Sequence, residues 1–358
     1  MAIVKRSGEK RTLSETFASL QGVAWPPGGK EVWFSAATVG FNRALHAVTR
    51  SGRHRVLARA TGGLVLQDVA KDGRVLVTQE KSRQELSVRL QGDAKERDLS
   101  WLDWSLVTDI SDDGRTILFD ESGEGGGKGY SVYVRKTDGS PAVRLGEGSA
   151  QALSPDTRWV LAIADSTSDP KLVAYPTGAG QPRSFPKDGL SVQDALWFPD
   201  GKRIFFNGRE RGHGVRCYVQ SVDAGPPRPL LPEGIAGHLV SPDGKIIAAV
   251  DVGEGKVVFF SAEGQPIALP HDLPSGNIPA AFSADSRFLF AFGWGQIPTP
   301  VYRLDLASGK KQLWKELAPV DRSGVDGMAY VRLSADGRSY AYCYTRCLND
   351  LYLVKGLK

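Results

Sequence analysis

The chain lacks the long apolar run that a membrane-spanning helix needs. None of its apolar stretches approaches about 18 residues, and its first residues contain no apolar core of the kind that a secretory signal peptide carries. Sustained helical periodicity is also missing, so almost no α-helix is expected. These absences predict an all-β protein with no membrane insertion in this segment.

Cysteine is scarce as well. The 358 residues include only three cysteines, at positions 217, 343 and 347. An odd and small number gives no disulfide framework. The five histidines, at positions 46, 54, 213, 238 and 271, show no metal-ligand spacing. We therefore expect neither a metal site nor a cofactor.

Charge of one sign is not concentrated anywhere. The chain has 45 Lys and Arg against 40 Asp and Glu, which gives a formal net charge of +5. The basic residues are scattered and form no patch that would bind a nucleic acid or a membrane surface. We expect a monomer whose partner is a protein or a small molecule that the sequence does not identify.

A turn motif recurs along the whole chain. Ser241-Pro242-Asp243-Gly244-Lys245 is followed by an apolar run, which is typical of a tight turn between two strands. Its equivalents align at positions 28, 72, 113, 156, 200, 243, 285 and 336, with separations of 44, 41, 43, 44, 43, 42 and 51 residues. A strand-rich period of about 40–45 residues is that of a propeller blade.

Each repeat contains four short strand patterns, so the predicted fold is an all-β propeller of eight four-stranded blades, with seven as the alternative. We expect one domain over residues 1–358, closed by residues 2–13, which would join the last blade and remove two exposed sheet edges. The predicted blades cover residues 20–59, 64–99, 105–146, 150–186, 192–231, 236–269, 278–317 and 328–354.

The aspartates of the motif are predicted to hold turns. They are Asp72, Asp113, Asp156, Asp200, Asp243, Asp285 and Asp336. Gly28, Thr157 and Ser286 stand where the other repeats have Asp or Gly, so those three turns are expected to differ in type.

Function is expected where the repeats differ, on the loops that enter each blade or join its second and third strands. The candidate binding residues are Trp101, Asp103, Trp104, Asp120, Glu121, Glu124, Lys128, Arg209, Arg211 and His213. The alternative for the tryptophans is packing between blades. For the charged residues the alternative is an ordinary solvated loop.

Signatures of catalysis are missing. The Gly-rich residues 123–129 precede a strand and lack the spacing of a phosphate-binding loop, and no Gly-x-Ser-x-Gly elbow occurs. Asp120, Glu121 and Glu124 could in principle do acid–base chemistry, but acidic residues are common in loops. We therefore expect no enzymatic activity.

The repeat resembles the WD40-like propeller repeat of the TolB family over essentially the whole chain. Four stretches, at residues 99–105, 135–148, 197–202 and 339–357, are similar to the C-terminal propeller region of bacterial serine/threonine protein kinases of the acidobacterial type. No kinase motif is present in the chain.

The kinase resemblance implies a sensor or protein-interaction module that follows an upstream kinase domain. It also implies the extracytoplasmic, periplasmic side of a membrane-anchored kinase, whereas without that anchor the module would be cytoplasmic. Two alternatives remain open: a propeller-based glycosidase or lyase, and the propeller of a peptidase whose hydrolase domain is absent.

Overall fold

The chain is described by a computed structural model that covers residues 2–4, 8, 10–40, 42–122, 129–164, 170–223, 225–269 and 273–357. Its contacts divide the chain into two compact units: unit 1 is Met1–Arg83 with Arg346–Lys358, and unit 2 is Gln84–Thr345. The expectation of one propeller domain over residues 1–358 stays a prediction. Within the described ranges, no helix is long and apolar enough to cross a membrane.

Unit 1 contains the first repeat and the first two strands of the second repeat. Its strands are β1 (Ala2–Val4), β2 (Lys10–Thr12), β3 (Ser19–Ala24), β4 (Glu31–Ala37), β5 (Ala44–Thr49), β6 (His54–Ala58), β7 (Gly63–Val69) and the first part of β8 (Val75–Arg89). Strands β3 to β6 form one four-stranded antiparallel sheet, and β7 pairs with β8. Buried Trp33, Leu45 and Leu66 fill the core between these sheets.

Unit 2 contains six four-stranded blades. Blade 1 has β10 (Trp104–Ile110), β11 (Thr116–Ser122), β12 (Ser131–Lys136) and β13 (Val143–Glu147); blade 2 has β14 (Ser149–Leu153), β15 (Trp159–Ala164), β16 (Lys171–Pro176) and β17 (Arg183–Ser184); blade 3 has β18 (Ser191–Trp197), β19 (Arg203–Arg209), β20 (Val215–Ser221) and β21 (Arg228–Pro229). Blade 4 has β22 (Ile235–Val240), β23 (Ile246–Asp251), β24 (Lys256–Ser261) and β25 (Pro266–Ile267); blade 5 has β26 (Asn277–Phe282), β27 (Phe288–Gly293), β28 (Thr299–Asp305) and β29 (Lys311–Leu317). Blade 6 combines β30 (Val325–Leu333) and β31 (Tyr340–Val354) with β8 and β9 (Arg97–Asp98).

The six blades form a closed ring. Six hydrophobic clusters each draw buried residues from two neighbouring blades. The sixth cluster joins Leu86 and Ala341 of blade 6 to Val107 and Phe119 of blade 1. The innermost strands β10 and β30 also contact each other, which completes the circle. The predicted propeller fold is confirmed, with six of the eight repeats in this ring.

The ring is closed by other strands than the predicted ones. Residues 2–4 pair with residues 10–12 in a sheet of their own, and β31 pairs with β8. Both β8 and β31 run for 15 residues without a glycine or proline, and the unit boundary falls inside each of them. The first two strands of the second repeat thus belong to unit 1, whereas its last two strands complete blade 6.

The motif aspartates hold their turns by two kinds of hydrogen bond. In the turn at Asp243, the Ser241 hydroxyl donates to Oδ1 at 2.6 Å and the Lys245 N–H donates to the same oxygen at 3.2 Å. The same N–H bond, from the residue two positions on, occurs at the other six motif aspartates. This is the Asx-type bond that fixes a tight turn.

The expectation that Thr157 and Ser286 change their turns is wrong. Thr157 has a φ of 57° and Ser286 a φ of 58°, whereas Gly244, at the equivalent position, has a φ of 72°. The two residues therefore adopt the left-handed conformation that glycine adopts elsewhere, because the serine–aspartate network fixes the turn. The turn at Gly28 does differ, since Gly28 and Gly29 both have positive φ.

We predict that Thr157→Gly stabilises unit 2 by roughly 0.5–1 kcal/mol. Glycine removes the strain of a β-branched residue in the left-handed conformation, and this gain exceeds the cost of the greater entropy that glycine gives the unfolded chain. Ser286→Gly is the matched control. It also removes the hydroxyl that accepts the Asp243 N–H at 3.1 Å, so its stability should stay near that of the wild type. Urea unfolding of both variants checks the prediction, and an equal gain in both would contradict it.

Candidate functional site

A cavity in unit 2 lies on the axis of the ring. It has a volume of about 540 Å³ and is lined by residues of all six innermost strands, β10, β14, β18, β22, β26 and β30. Gly255, Gly276 and Trp294 also line it. These three residues lie in connections that enter a blade or join its second and third strands, on the side of the ring that we call the loop face. The cavity therefore reaches the loop face, where function was expected.

Bulges in the innermost strands shape the cavity wall. In five of these strands the pairing register skips one residue, namely Thr108, Gln151, Gln193, His238 and Ala280. Four of the five line the cavity, and Gln193 precedes Asp194, which also lines it. A bulge bends a strand and redirects its side chains, and bulges are over-represented beside active sites.

Asp109 and Arg332 form an oppositely charged pair in neighbouring strands. The Asp109 carboxylate accepts the Leu153 and Ile110 N–H groups, each at 2.8 Å. Burial raises the pKa of Asp109 to about 6, although these hydrogen bonds and the Arg332 charge act in the opposite direction. The Arg332 guanidinium donates to the carbonyls of Thr108 and Val331. The chain thus occupies both carboxylate oxygens of Asp109 and two of the five N–H donors of Arg332.

Asp194 and His238 lie on the neighbouring strands β18 and β22. Asp194 is exposed and lines the cavity. The Asn207 side-chain nitrogen donates to its carboxylate in a long hydrogen bond of 3.5 Å. Burial lowers the pKa of His238 despite the opposing effect of the Asp194 charge. Burial therefore favours the neutral form of His238, and the Asp194 carboxylate keeps spare acceptor capacity.

An aromatic surface borders the loop-side part of the cavity. The rings of Phe292 and Trp294 lie 6.3 Å apart, and Tyr330 meets Trp294 edge to face at 5.6 Å. Trp294 is 48% exposed, so its ring is accessible. Tyr330 has a φ of 45°, and such strained backbone is concentrated at functional sites.

Asn277 adds an unpartnered acceptor to the cavity. It is only 3% exposed, and its amide nitrogen donates to the Pro274 carbonyl at 3.1 Å. Its Oδ1 is buried and has no hydrogen-bond partner among the described residues. Native proteins rarely leave such an oxygen unsatisfied, and each case calls for an explanation such as a ligand or water.

Asp120 and Glu121 were expected on a loop but belong to strand β11 and are buried. Asp120 accepts the Ala150 N–H and the Ser149 hydroxyl, the latter at 3.0 Å. Glu121 accepts the Ser105 hydroxyl at 2.6 Å and the Trp104 N–H at 2.7 Å. These bonds give both carboxylates a structural role: Asp120 joins blade 1 to blade 2, and Glu121 holds the entry to β10.

The remaining candidates form two separate groups. Trp101 is 37% exposed with the Arg135 guanidinium 5.3 Å from its ring centre, and Asp103 and Trp104 are half-buried beside it. In blade 3, Arg209, Arg211 and His213 are exposed, and His213 lies 3.4 Å from the Glu233 carboxylate. Glu124 and Lys128 lie outside the described residues. None of the eight described candidates lines the axial cavity.

The repeat alignment contains a signal that could have found the cavity. Asp109 and Arg332 each stand four residues before a motif aspartate, where the other blades of unit 2 have Ala152, Leu196, Leu239 and Ala281. A charged residue at a position that is otherwise apolar in the innermost strand marks the axis. Three or more potential metal ligands cluster nowhere in the part of the chain that the structure describes.

Comparisons with known proteins support the fold. No protein-family model matches the chain. A solved TolB structure from Agrobacterium tumefaciens aligns with a TM-score of 0.52 and 18% identity, over 75% of this chain and 99% of that one. An oligogalacturonate lyase solved with manganese aligns with a TM-score of 0.46 and 12% identity, over 76% of each chain. The alignment with the TolB structure shows that the fold is that of a TolB-like β-propeller.

A short segment of the chain also matches a known protein in sequence. The uncharacterized peptidase YuxL of Bacillus subtilis strain 168 is 35% identical over 68 residues, which is 18% of this chain. The match spans about a tenth of that protein's length. It concerns a segment of less than two blade lengths.

Proposed function

We propose that unit 2 is a non-catalytic binding module whose small-molecule ligand enters the axial cavity from the loop face. The observation that carries this proposal is the cavity itself. Its volume of about 540 Å³ falls in the range of roughly 300–1,000 Å³ that ligand pockets occupy. An apolar wall with a few convergent polar groups is also typical of such pockets.

The state of the acidic residues on β11 supports a non-catalytic role. The Asp120 and Glu121 carboxylates are both buried and bonded to backbone N–H groups and serine hydroxyls of the chain. A general acid or base must reach its substrate. The two carboxylates that were the basis for a glycosidase or lyase alternative therefore do not favour it.

A cavity-filling substitution tests the binding site. We predict that Ile278→Trp abolishes binding of most fragments that ligand-observed NMR detects with the full chain, because Ile278 is a half-buried residue of the cavity wall. Val143→Trp is the matched control, since Val143 lies on the outer strand β13 and is 54% exposed.

Fragments lost in Ile278→Trp and retained in Val143→Trp would support the axial site. If both variants retain the same fragments, the cavity is not where they bind and the proposal fails. The unfolding midpoint of each variant should stay near that of the wild type, which separates filling of the cavity from loss of fold.

We further propose that the module is the sensor region of a bacterial serine/threonine kinase, on its extracytoplasmic side. The support for this is the sequence resemblance of residues 99–105, 135–148, 197–202 and 339–357. The coding sequence upstream of Met1 tests it. A kinase domain followed by a membrane segment would support the assignment. An unrelated gene directly upstream would contradict it.

A further inference from the structure

We infer that the axial cavity recognises a protonated amine attached to an aromatic or apolar body. This inference rests on the proposed function of unit 2 and names the chemical class of its ligand. Three independent properties of the cavity lead to it: its net charge, its unused acceptors and its aromatic surface.

The charged groups of the cavity leave a net negative charge. Among the described residues that line the cavity, Asp109 and Asp194 are acidic, and Arg332 and His238 are the basic ones. Burial lowers the pKa of His238 and so favours its neutral form. One negative charge is therefore left uncompensated, although the whole chain carries +5. A cationic ligand group compensates this charge, whereas an anionic group adds to it.

The hydrogen-bonding groups of the cavity point the same way. Arg332 directs its Nε and Nη1 to backbone carbonyls, and Asp109 receives one N–H on each carboxylate oxygen. Asp194 and the Asn277 Oδ1 keep acceptor capacity, since the first has a long bond and the second has none. A ligand that satisfies them must bring hydrogen-bond donors. An ammonium group brings three donors and no acceptor.

The aromatic surface suits the same ligand. The face of Trp294 is electron-rich and attracts cations within about 6 Å, and Trp is the strongest of the aromatic side chains in this respect. The Tyr330 ring already has the Arg332 guanidinium 5.5 Å from its centre, so Trp294 is the ring that a ligand cation would meet. Phe292 and Ile278 line the same part of the cavity and can take an apolar body. An anion-binding site would instead carry a net positive charge, whereas this lining has two carboxylates and one guanidinium.

Calorimetry with three probes of matched shape tests the inference. The full chain is titrated at pH 7.5 and low salt with 2-phenylethylamine, 2-phenylethanol and 3-phenylpropionate. We expect the amine to bind at least tenfold more tightly than the alcohol or the carboxylate. In Asp194→Asn, the affinity for the amine should fall at least tenfold, and that for the alcohol should change less than twofold.

Asp223→Asn is the control for a general charge effect. It removes the same charge from an exposed position of blade 3 that does not line the cavity, so amine binding should stay within twofold of the wild type. Tightest binding of the carboxylate or the alcohol would overturn the amine inference and leave the binding module in place. If no probe binds and Ile278→Trp removes no fragment, both the inference and the proposed function are wrong.

Discussion

Replacing Phe119 by alanine is expected to lower the free energy of unfolding of unit 2 by about 3–5 kcal/mol, the usual cost of truncating a fully buried phenylalanine. Phe119 has no exposed surface and packs in the cluster that joins blade 6 to blade 1. Its ring stacks on Tyr133 with the centroids 5.6 Å apart. The substitution therefore probes the interface at which the ring closes.

Phe206→Ala is a closely matched comparison. Phe206 stands at the same repeat position as Phe119, six residues after a motif aspartate, and is also fully buried. It stacks on Tyr218 at the same distance of 5.6 Å, but it packs between blades that follow each other in the chain. Urea unfolding followed by tryptophan fluorescence should give similar losses for both. A loss below about 1 kcal/mol for Phe119→Ala alone would mean that the ring is not closed there.

Replacing Asp120 by asparagine is expected to remove a pH dependence of stability. The Asp120 side chain is 1% exposed, and burial raises its pKa to about 7, with the Glu121 charge acting in the same direction. The folded protein therefore retains a proton that the unfolded chain releases near pH 4. The stabilisation is complete below pH 4 and is lost as the pH rises to about 7. A shift of about three pKa units corresponds to about 4 kcal/mol.

Urea unfolding at pH 4.5, 6 and 8 measures this effect as the difference in the free energy of unfolding between the variant and the wild type. Between pH 4.5 and 8 this difference should move in favour of Asp120→Asn by about 3 kcal/mol, because part of the effect already falls below pH 4.5. Asp113→Asn is the control, because the Ser111 hydroxyl and the Arg115 N–H lower the pKa of Asp113. Its contribution is lost only as the pH falls below about 4, so its difference should be flat over this range. A flat difference for Asp120→Asn would refute the prediction.

The fold class was predictable because the turn motif is local. The Ser-x-Asp turn is formed by residues within five positions of each other, so the recurrence of the motif at intervals of 41 to 51 residues reports directly on blades. The number of blades in the ring depends on which strands pair across long separations. Strands 75–89 and 340–354 resemble ordinary blade strands in sequence, and nothing local indicates that they pair with each other.

The site was predicted less well for a related reason. Loops of unusual composition were expected to carry the function, whereas the cavity is built from single residues of the innermost strands. Asp109, Asp194 and Arg332 lie in short strand patterns that look regular one at a time. Their shared location is a property of the ring. Asp120 and Glu121 were assigned to a loop because they precede a Gly-rich stretch, but strand β11 extends through both.

The pairing of β8 with β31 has a consequence for synthesis. Residues 84–98 leave the ribosome long before residues 325–345, with which they form blade 6. At about 5–20 residues per second, a delay of about 250 residues lasts roughly 12–50 s. During that time the nascent half-blade presents an unpaired strand edge. The ring therefore closes only after residues 325–345 have been synthesised.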